Sequence, residues 1–308
     1  MRMHKKVENM KIVSFVVLHY GDPAVTKSCI SSILHLEDQE RIRIVLVDND
    51  LHKSANDRLA LKKEYSAIPS VSVLSIEENG GFSFANNCGY RYAKEIQKAS
   101  YIVVLNNDIE IRQKDFIARM EASYGQHACH ILGPDVIRSS TGEHQNPMDT
   151  RIRTIQEAEY TIRMNRMALR FYPILYPLLY RKLQRDEKAA LEKKKQNESY
   201  YRRVQKEIVP FGAFLIFTPA FTQKEELAFT PETQFYYEEY ILTYRCRKAG
   251  YQIVYDPSMQ VLHESGAATK KTYKSEKKRM RFLLERTAQA CEVYRSVCAV
   301  TSDKQEQP

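Results

Sequence analysis

Apolar positions in this chain come in short, almost unbroken runs that stop abruptly at polar residues. Ile12–Tyr20 (IVSFVVLHY) is closed by Gly21-Asp22-Pro23, and Ala24–Leu36 then sets Val25, Cys29, Ile33 and Leu36 at helical spacing. Ile42–Asp48 (IRIVLVD) is a second strand pattern, Val71–Ile76 a third and Tyr101–Leu105 a fourth. A helix is predicted over Ser83–Gln97, approached through the loop ENGGFS. Strands this apolar have no wet face, and their alternation with helices predicts right-handed βαβ crossovers. The expected fold class is therefore α/β, a mostly parallel sheet with helices on both faces. Further along, Phe211–Thr218 resumes strand character and Phe235–Lys248 reads as a helix stopped at Gly250. Tyr251–Tyr255 and Met259–His263 read as two short strands, and Tyr273–Val300 as one amphipathic helix. Residues 151–208 break the alternation, with Pro173 and Pro177 interrupting an aromatic and aliphatic stretch, and read as a helical insertion.

In open α/β sheets ligands bind outside the carboxyl ends of the strands, so the polar residues at those ends carry the most information. They are His19-Tyr20, Asp48-Asn49-Asp50, Glu77-Glu78-Asn79 and Asn106-Asn107-Asp108. One such Asp would be an ordinary helix cap; four converging ends indicate a site. Asp108, flanked by amides, is a hard-oxygen donor suited to Mg²⁺ or Mn²⁺ with a diphosphate completing the shell. Asp48 is placed to accept hydrogen bonds from a base or ribose. Glu238 and Glu239 follow three aromatics near a helix start, where partial desolvation would tune one of them as a general base. The competing reading is a solvated acidic first turn that complements the helix dipole.

Composition and charge narrow the choice. The 308 residues are 43% hydrophobic, enough to fill a core. Six cysteines without a CxxC pair read as reduced structural thiols rather than a zinc ribbon or disulfide framework. No apolar run reaches the roughly 18 residues of a membrane span, and MRMHKKVENMK has no signal-peptide core. A cytoplasmic protein is expected. The net charge of +9 is concentrated: residues 1–150 carry 18 Lys and Arg against 19 Asp and Glu, whereas 151–208 carry 15 against 7. That argues against nucleic acid as the partner and for a local basic surface, with two readings open: peripheral attachment to an anionic membrane, or aromatics packed on the catalytic domain or on a second subunit of a homodimer while the charges stay solvated.

Seven stretches in order, VVLHYGDP, VLVDND, ENGGFSFANNCGYRYA, VVLNNDIEI, GPDVI, FGAFLIFTPAF and FYYEEYILTYRCRKAGYQIVYDPSMQVLH, resemble inverting family 2 glycosyltransferases of the GT-A fold, especially the rhamnosyltransferase-like branch. The resemblance covers about residues 11–265 apart from the insertion. It implies a GT-A domain over 1–265, interrupted by 151–208, and a helical tail over 266–308. It also implies a nucleotide-sugar donor, such as dTDP-rhamnose or a UDP-sugar, and a glycan or lipid-linked acceptor in surface polysaccharide synthesis. By the same resemblance Asp108 is the metal ligand, with Asn106 replacing a first Asp and His263 near the metal or diphosphate. Asp48, with His19, Tyr20, Asn79, Gly81, Asn86 and Asn107, would line the donor site, and Glu239, beside Glu238, would be the base. Departures from the family pattern are Asn106, Glu239 in place of Asp, and Ile241 where many relatives have a second acid. A nucleotidyltransferase would need a Gly-rich, Lys-containing loop after the first strand, which HYGDPAVTK lacks. A degenerate transferase kept as a scaffold in an assembly complex stays open at this point.

Overall fold

The computed structural model describes residues 10–78, 80–264 and 275–303. Asn79, expected in the donor site, lies outside the described residues. The first half follows the predicted alternation. Strands β1 (Val13–His19), β2 (Ile42–Asp48), β3 (Val71–Ser75) and β4 (Tyr101–Asn106) run parallel in the order β3-β2-β1-β4. All seven residues of β1 are buried, as the centre of a sheet covered on both faces requires. Helix α1 (Pro23–Leu34) starts where the Asp22 carboxylate accepts the Ala24 N–H at 3.0 Å and Pro23 presets the first turn. Helix α2 (Ala55–Tyr65) was not expected. It buries only Leu61 and Tyr65, too few apolar positions to show a period, and depends on a Ser54–Asp57 capping box. Helix α3 (Gly81–Glu95) crosses β1 and β2 so closely that Gly89 has no room for a Cβ between Val16 and Val47.

Beyond β4 the sheet becomes mixed. The chain adds β5 (Ile109–Glu110), α4 (Phe116–His127) and β6 (Ile131–Arg138), then α5 (Ile155–Arg170), α6 (Tyr172–Gln196), α7 (Glu198–Tyr201) and β7 (Gln205–Lys206). It continues through β8 (Phe214–Phe217), α8 (Pro219–Thr222), α9 (Glu238–Lys248), β9 (Ile253–His263) and α10 (Glu276–Asp303). β8 inserts antiparallel between β4 and β6, β9 lies parallel to β6, and β5 and β7 both pair antiparallel with β9.

Three expectations need correction. The two short strands over 251–263 are one strand, because a register shift opposite Pro134 and Asp135 absorbs Pro257 as a bulge, with Asp256 accepting the Ser258 N–H at 2.9 Å. The helix expected from Phe235 begins only at Glu238, since Tyr236 and Tyr237 both adopt positive φ, 66° and 62°. Of the two prolines in residues 151–208, Pro173 follows the break at Phe171 and sits in the first turn of α6, where it is tolerated, whereas Pro177 does not interrupt the helix, which runs on through it. The expected C-terminal helix is present as α10 and packs on the rest of the molecule. Cys291, Tyr294 and Cys298 of α10 share one buried cluster with Ala158 and Ile162 of α5 and Tyr240 and Ile241 of α9. All six cysteines are free thiols, five of them buried. No helix among the described residues is long and apolar enough to cross a membrane.

Candidate active site

The pairing registers set the polar strand ends side by side: His19 lies opposite Asp48, Asp48 opposite Ser75, and Leu18 opposite Asn106. Asp48 is buried, and its Oδ2 accepts from the Arg58 Nε at 2.8 Å, while the same guanidinium donates to the Ile76 carbonyl at 2.7 Å. Arg58 comes from the unexpected α2, and no sequence motif announced it. Asp50, also buried, accepts the Gly21 N–H at 3.0 Å and the His52 N–H at 3.2 Å, which ties the loops after β1 and β2 together. His19 is buried with Nδ1 2.6 Å from the Thr26 Oγ1. Burial lowers its pKa against the pull of Asp48 and Asp50. The Asn107 amide donates to the Thr26 Oγ1 at 2.8 Å and to the Tyr20 carbonyl at 3.2 Å. His19, Asn107 and Thr26 thus form a buried clamp between the ends of β1 and β4.

At the start of α3, Gly81 has φ +79°, and a Cβ there would lie 2.5 Å from the Gln234 carbonyl oxygen. The close approach lets the Phe82 N–H donate to that carbonyl at 2.7 Å. Asn86 donates to the Phe82 carbonyl at 3.1 Å, and its buried Oδ1 has no hydrogen-bond partner. Ser83 Oγ and Thr233 Oγ1 are likewise buried without one. Buried polar atoms left this way call for a partner from outside the protein, a water or a ligand.

Asp108 and His263 meet because β5 pairs with β9, Ile109 facing His263. The His263 Nε2 lies 3.2 Å from the Asp108 Oδ1, and its Nδ1 lies 2.7 Å from the Gln145 Oε1. The Gln145 Oε1 accepts from Nδ1, so Nε2 is the ring nitrogen that faces the carboxylate. Asp108 Oδ1 is buried and receives no hydrogen bond. An imidazole nitrogen facing a buried carboxylate oxygen is a donor pair that fits a divalent cation, with Gln145 orienting the histidine from behind. Asn106 ends β4 beside them, its N–H donating to the Ala213 carbonyl at 3.0 Å. Among the described residues no three His, Cys, Asp or Glu side chains gather around one point, so this chain would supply a ligand pair and leave the remaining positions to substrate oxygens and water. Gln145 escaped the sequence reading. Its only signal was a polar pair, Gln145-Asn146, at a place the fold buries.

The acidic pair is not a solvated first turn. Glu239 is buried, and its Oε1 accepts the Gly212 N–H at 3.1 Å. The next residue, Ala213, receives the Asn106 N–H, so two consecutive backbone contacts connect the glutamate to the strand end that carries Asp108. The Glu238 Oε2 is buried without a partner. Burial raises the pKa of both carboxyls above the ordinary 4.5, and the charge of Glu239 raises Glu238 further. A cavity of about 800 Å³ opens beside this helix, lined by Gln234, Phe235 and Arg245 together with Arg286, Gln289 and Val293 of α10.

The sequence model described as "Glycosyl transferase family 2" matches residues 14–210. No curated protein sequence matches the chain. Among solved structures, TarS residues 1–349 of S. aureus aligns at 12% identity and a TM-score of 0.51, over 82% of this chain and 60% of that one. The same fragment in complex with UDP-GlcNAc aligns at 12% identity and 0.51, over 85% and 61%. The mannosyltransferase PcManGT from Pyrobaculum calidifontis, in complex with GDP-Man and Mn²⁺, aligns at 10% identity and 0.50, over 94% and 75%. The chain spans about three-fifths of the length of the TarS fragment. At such identities the likeness is one of fold, and it agrees with the GT-A type of α/β sheet. With the family match running over more than half of its length, the chain belongs to glycosyl transferase family 2.

Proposed function

We propose that the protein transfers a sugar from a nucleoside-diphosphate donor to an acceptor hydroxyl with inversion at the anomeric carbon. Glu239 takes the hydroxyl proton, the acceptor oxygen forms the new bond to the anomeric carbon, and the bond to the diphosphate oxygen breaks with its electrons leaving on the nucleoside diphosphate. The observation that carries this reading is the backbone bridge from Glu239 through Gly212 and Ala213 to Asn106, because it connects a proton acceptor to the Asn106-Asp108 strand end in one rigid unit. Its raised pKa suits the role, since a carboxylate nearer neutrality is a stronger base. Asp108 and His263 would hold Mg²⁺ or Mn²⁺, which when bound neutralises charge on the departing diphosphate. Asp48, Gly81 and Asn86 surround the donor side. The motif resemblance favours a deoxyhexose donor such as dTDP-rhamnose, with a UDP-sugar the next choice, and a glycan or lipid-linked acceptor in surface polysaccharide synthesis.

Glu238 is the second reading for the base, favoured by its unpartnered Oε2. Nucleoside-diphosphate release from a panel of nucleotide sugars, with Mg²⁺ or Mn²⁺ added or chelated, separates the readings. Glu239→Gln is expected to cut turnover by at least about a hundredfold, within the range of general-base loss, while donor affinity by calorimetry stays within about twofold. Glu238→Gln is expected to be milder. The reverse ranking would move the base to Glu238. Absence of cation-dependent turnover of any donor by the parent would remove the transferase reading.

A further inference from the structure

Among the described residues, most of the exposed large hydrophobic side chains, though not Leu59, Ile96, Ile155 or Val204, gather at one place. Tyr160, Met164 and Met167 on α5, Phe171 at the elbow, and Ile174 and Leu178 on α6 are all open to solvent, Ile174 by 76% and Leu178 by 62%. Their spacing of four, three, four, three and four residues is that of one helical stripe. The other side of the same helices is used. Ala158, Ile162 and Ala168 are buried, the Tyr172 hydroxyl donates to the Lys277 carbonyl at 2.5 Å, and the Lys277 ammonium lies 5.7 Å from the Tyr176 ring centre. α10 therefore holds the inner face and leaves the stripe outward.

The charges along the stripe all have one sign. Between residues 160 and 185 there are six basic residues, Arg163, Arg166, Arg170, Arg181, Lys182 and Arg185, and no acidic one. Arg166 is paired with Glu292 of α10 and Arg170 lies over the Phe171 ring; beyond them Arg181, Lys182 and Arg185, the last 3.8 Å from the exposed Asp186, form a basic extension of the apolar stripe. A second copy of this chain is a poor occupant, because a two-fold contact would set these cations against themselves. A bilayer with anionic headgroups matches both components at once: apolar side chains enter the headgroup–acyl boundary and the cations meet lipid phosphates. Neither helix can cross a membrane.

We propose that the α5–α6 elbow docks the protein on an anionic membrane surface, with Phe171, Ile174 and Leu178 inserted and Arg181, Lys182 and Arg185 against the headgroups. The docked surface is rigidly joined to the acidic helix, since α5 and α10 pack on α9 and the Tyr240 hydroxyl of α9 donates to Asp149 at 3.0 Å just ahead of α5. Catalysis would then take place at a fixed distance from the bilayer.

The test is co-sedimentation of the full chain with vesicles of phosphatidylcholine alone or with about one-third phosphatidylglycerol, where each surface cation contributes measurably to binding. The parent is expected to bind the anionic vesicles in about 20 mM NaCl and to lose most of that binding in about 0.5 M, where charges are screened. The triple variant Arg181→Glu/Lys182→Glu/Arg185→Glu is expected to bind at least about a hundredfold more weakly. The double variant Ile174→Glu/Leu178→Glu should lose at least about tenfold, because it replaces inserted apolar side chains with charges. Binding that ignores lipid charge, absence of binding at low salt, or unchanged binding by both variants would each overturn the proposal. So would a concentration-dependent dimer that Ile174→Glu/Leu178→Glu dissociates in the absence of vesicle binding, since the face would then belong to a second copy. The assay contains no donor or acceptor, so its outcome is independent of the transferase reading, and turnover of a water-soluble donor is expected to be unchanged in both variants.

Discussion

Glu239 is buried and Glu238 half-buried at the first turn of α9, where the Glu239 Oε1 accepts the Gly212 N–H and the Glu238 Oε2 receives no hydrogen bond. Burying an ionised carboxylate is unfavourable, so folding favours the protonated forms and both pKa values rise, Glu238 the more for the charge beside it. The sign of the linkage follows. A carboxyl whose folded pKa exceeds its unfolded value contributes fully to stability below the unfolded value of about 4.5, and that contribution is lost as pH rises through the folded pKa. Glu238→Gln removes the ionisation. At neutral pH the variant is expected to unfold at higher denaturant than the parent, with the difference shrinking as pH falls below the ordinary carboxylate range. Equal midpoints at neutral pH would mean that Glu238 ionises in the fold without penalty.

At the scale of elements, the site depends on short segments held in unusual conformations by their neighbours. Tyr236 and Tyr237 are both left-handed just ahead of α9, a backbone cost that the buried cluster around Tyr237 and Tyr240 offsets. Gly212, ahead of β8, allows the Glu239 carboxylate to reach its N–H, and a Cβ there would stand 2.5 Å from the Oε1. Gly212→Ala should therefore leave the sheet intact and push the carboxylate aside. A displacement near 1 Å of a catalytic group can reduce turnover about a hundredfold. Turnover and the midpoint of urea unfolding measured on the same preparation check this. An alanine variant with parental turnover would show that the Glu239–Gly212 contact does not position the base.

For the whole molecule, α10 closes the structure over the acidic helix and over α5. Tyr294 is 1% exposed, contacts the rings of Tyr237 and Tyr244, and donates to the Arg153 carbonyl at 2.5 Å. It links α10, α9 and the root of α5 in one cluster. Tyr294→Ala should cost about 3–5 kcal/mol in urea unfolding, the range for deleting a large buried aromatic. A loss below about 1 kcal/mol would mean that the cluster is loosely packed and that α10 is dispensable to the fold.

How much could be read without the fold differs by element. Strands β1, β2 and β4, helices α1 and α3, and the convergence of His19, Asp48 and Asn106 at one level were legible, because a strand buried on both faces must be continuously apolar and its polar end stands out. The sequence also singled out Asp108 by its place at a strand end and the two glutamates by theirs at a helix start, whereas His263 came from the family resemblance alone. It did not reveal α2, whose two buried residues give no period, or a single β9 running through Pro257, which a bulge accommodates. Nor did it reveal the partners. Arg58 reaches Asp48 across 10 residues, Gln145 reaches His263 across 118, and the Gly212 N–H reaches Glu239 across 27. A local pattern records propensity and burial over a few neighbouring residues. Which side chain neutralises a buried charge, which amide fixes a histidine tautomer and which backbone N–H holds a carboxylate are decided by chain segments that meet only after the sheet has formed.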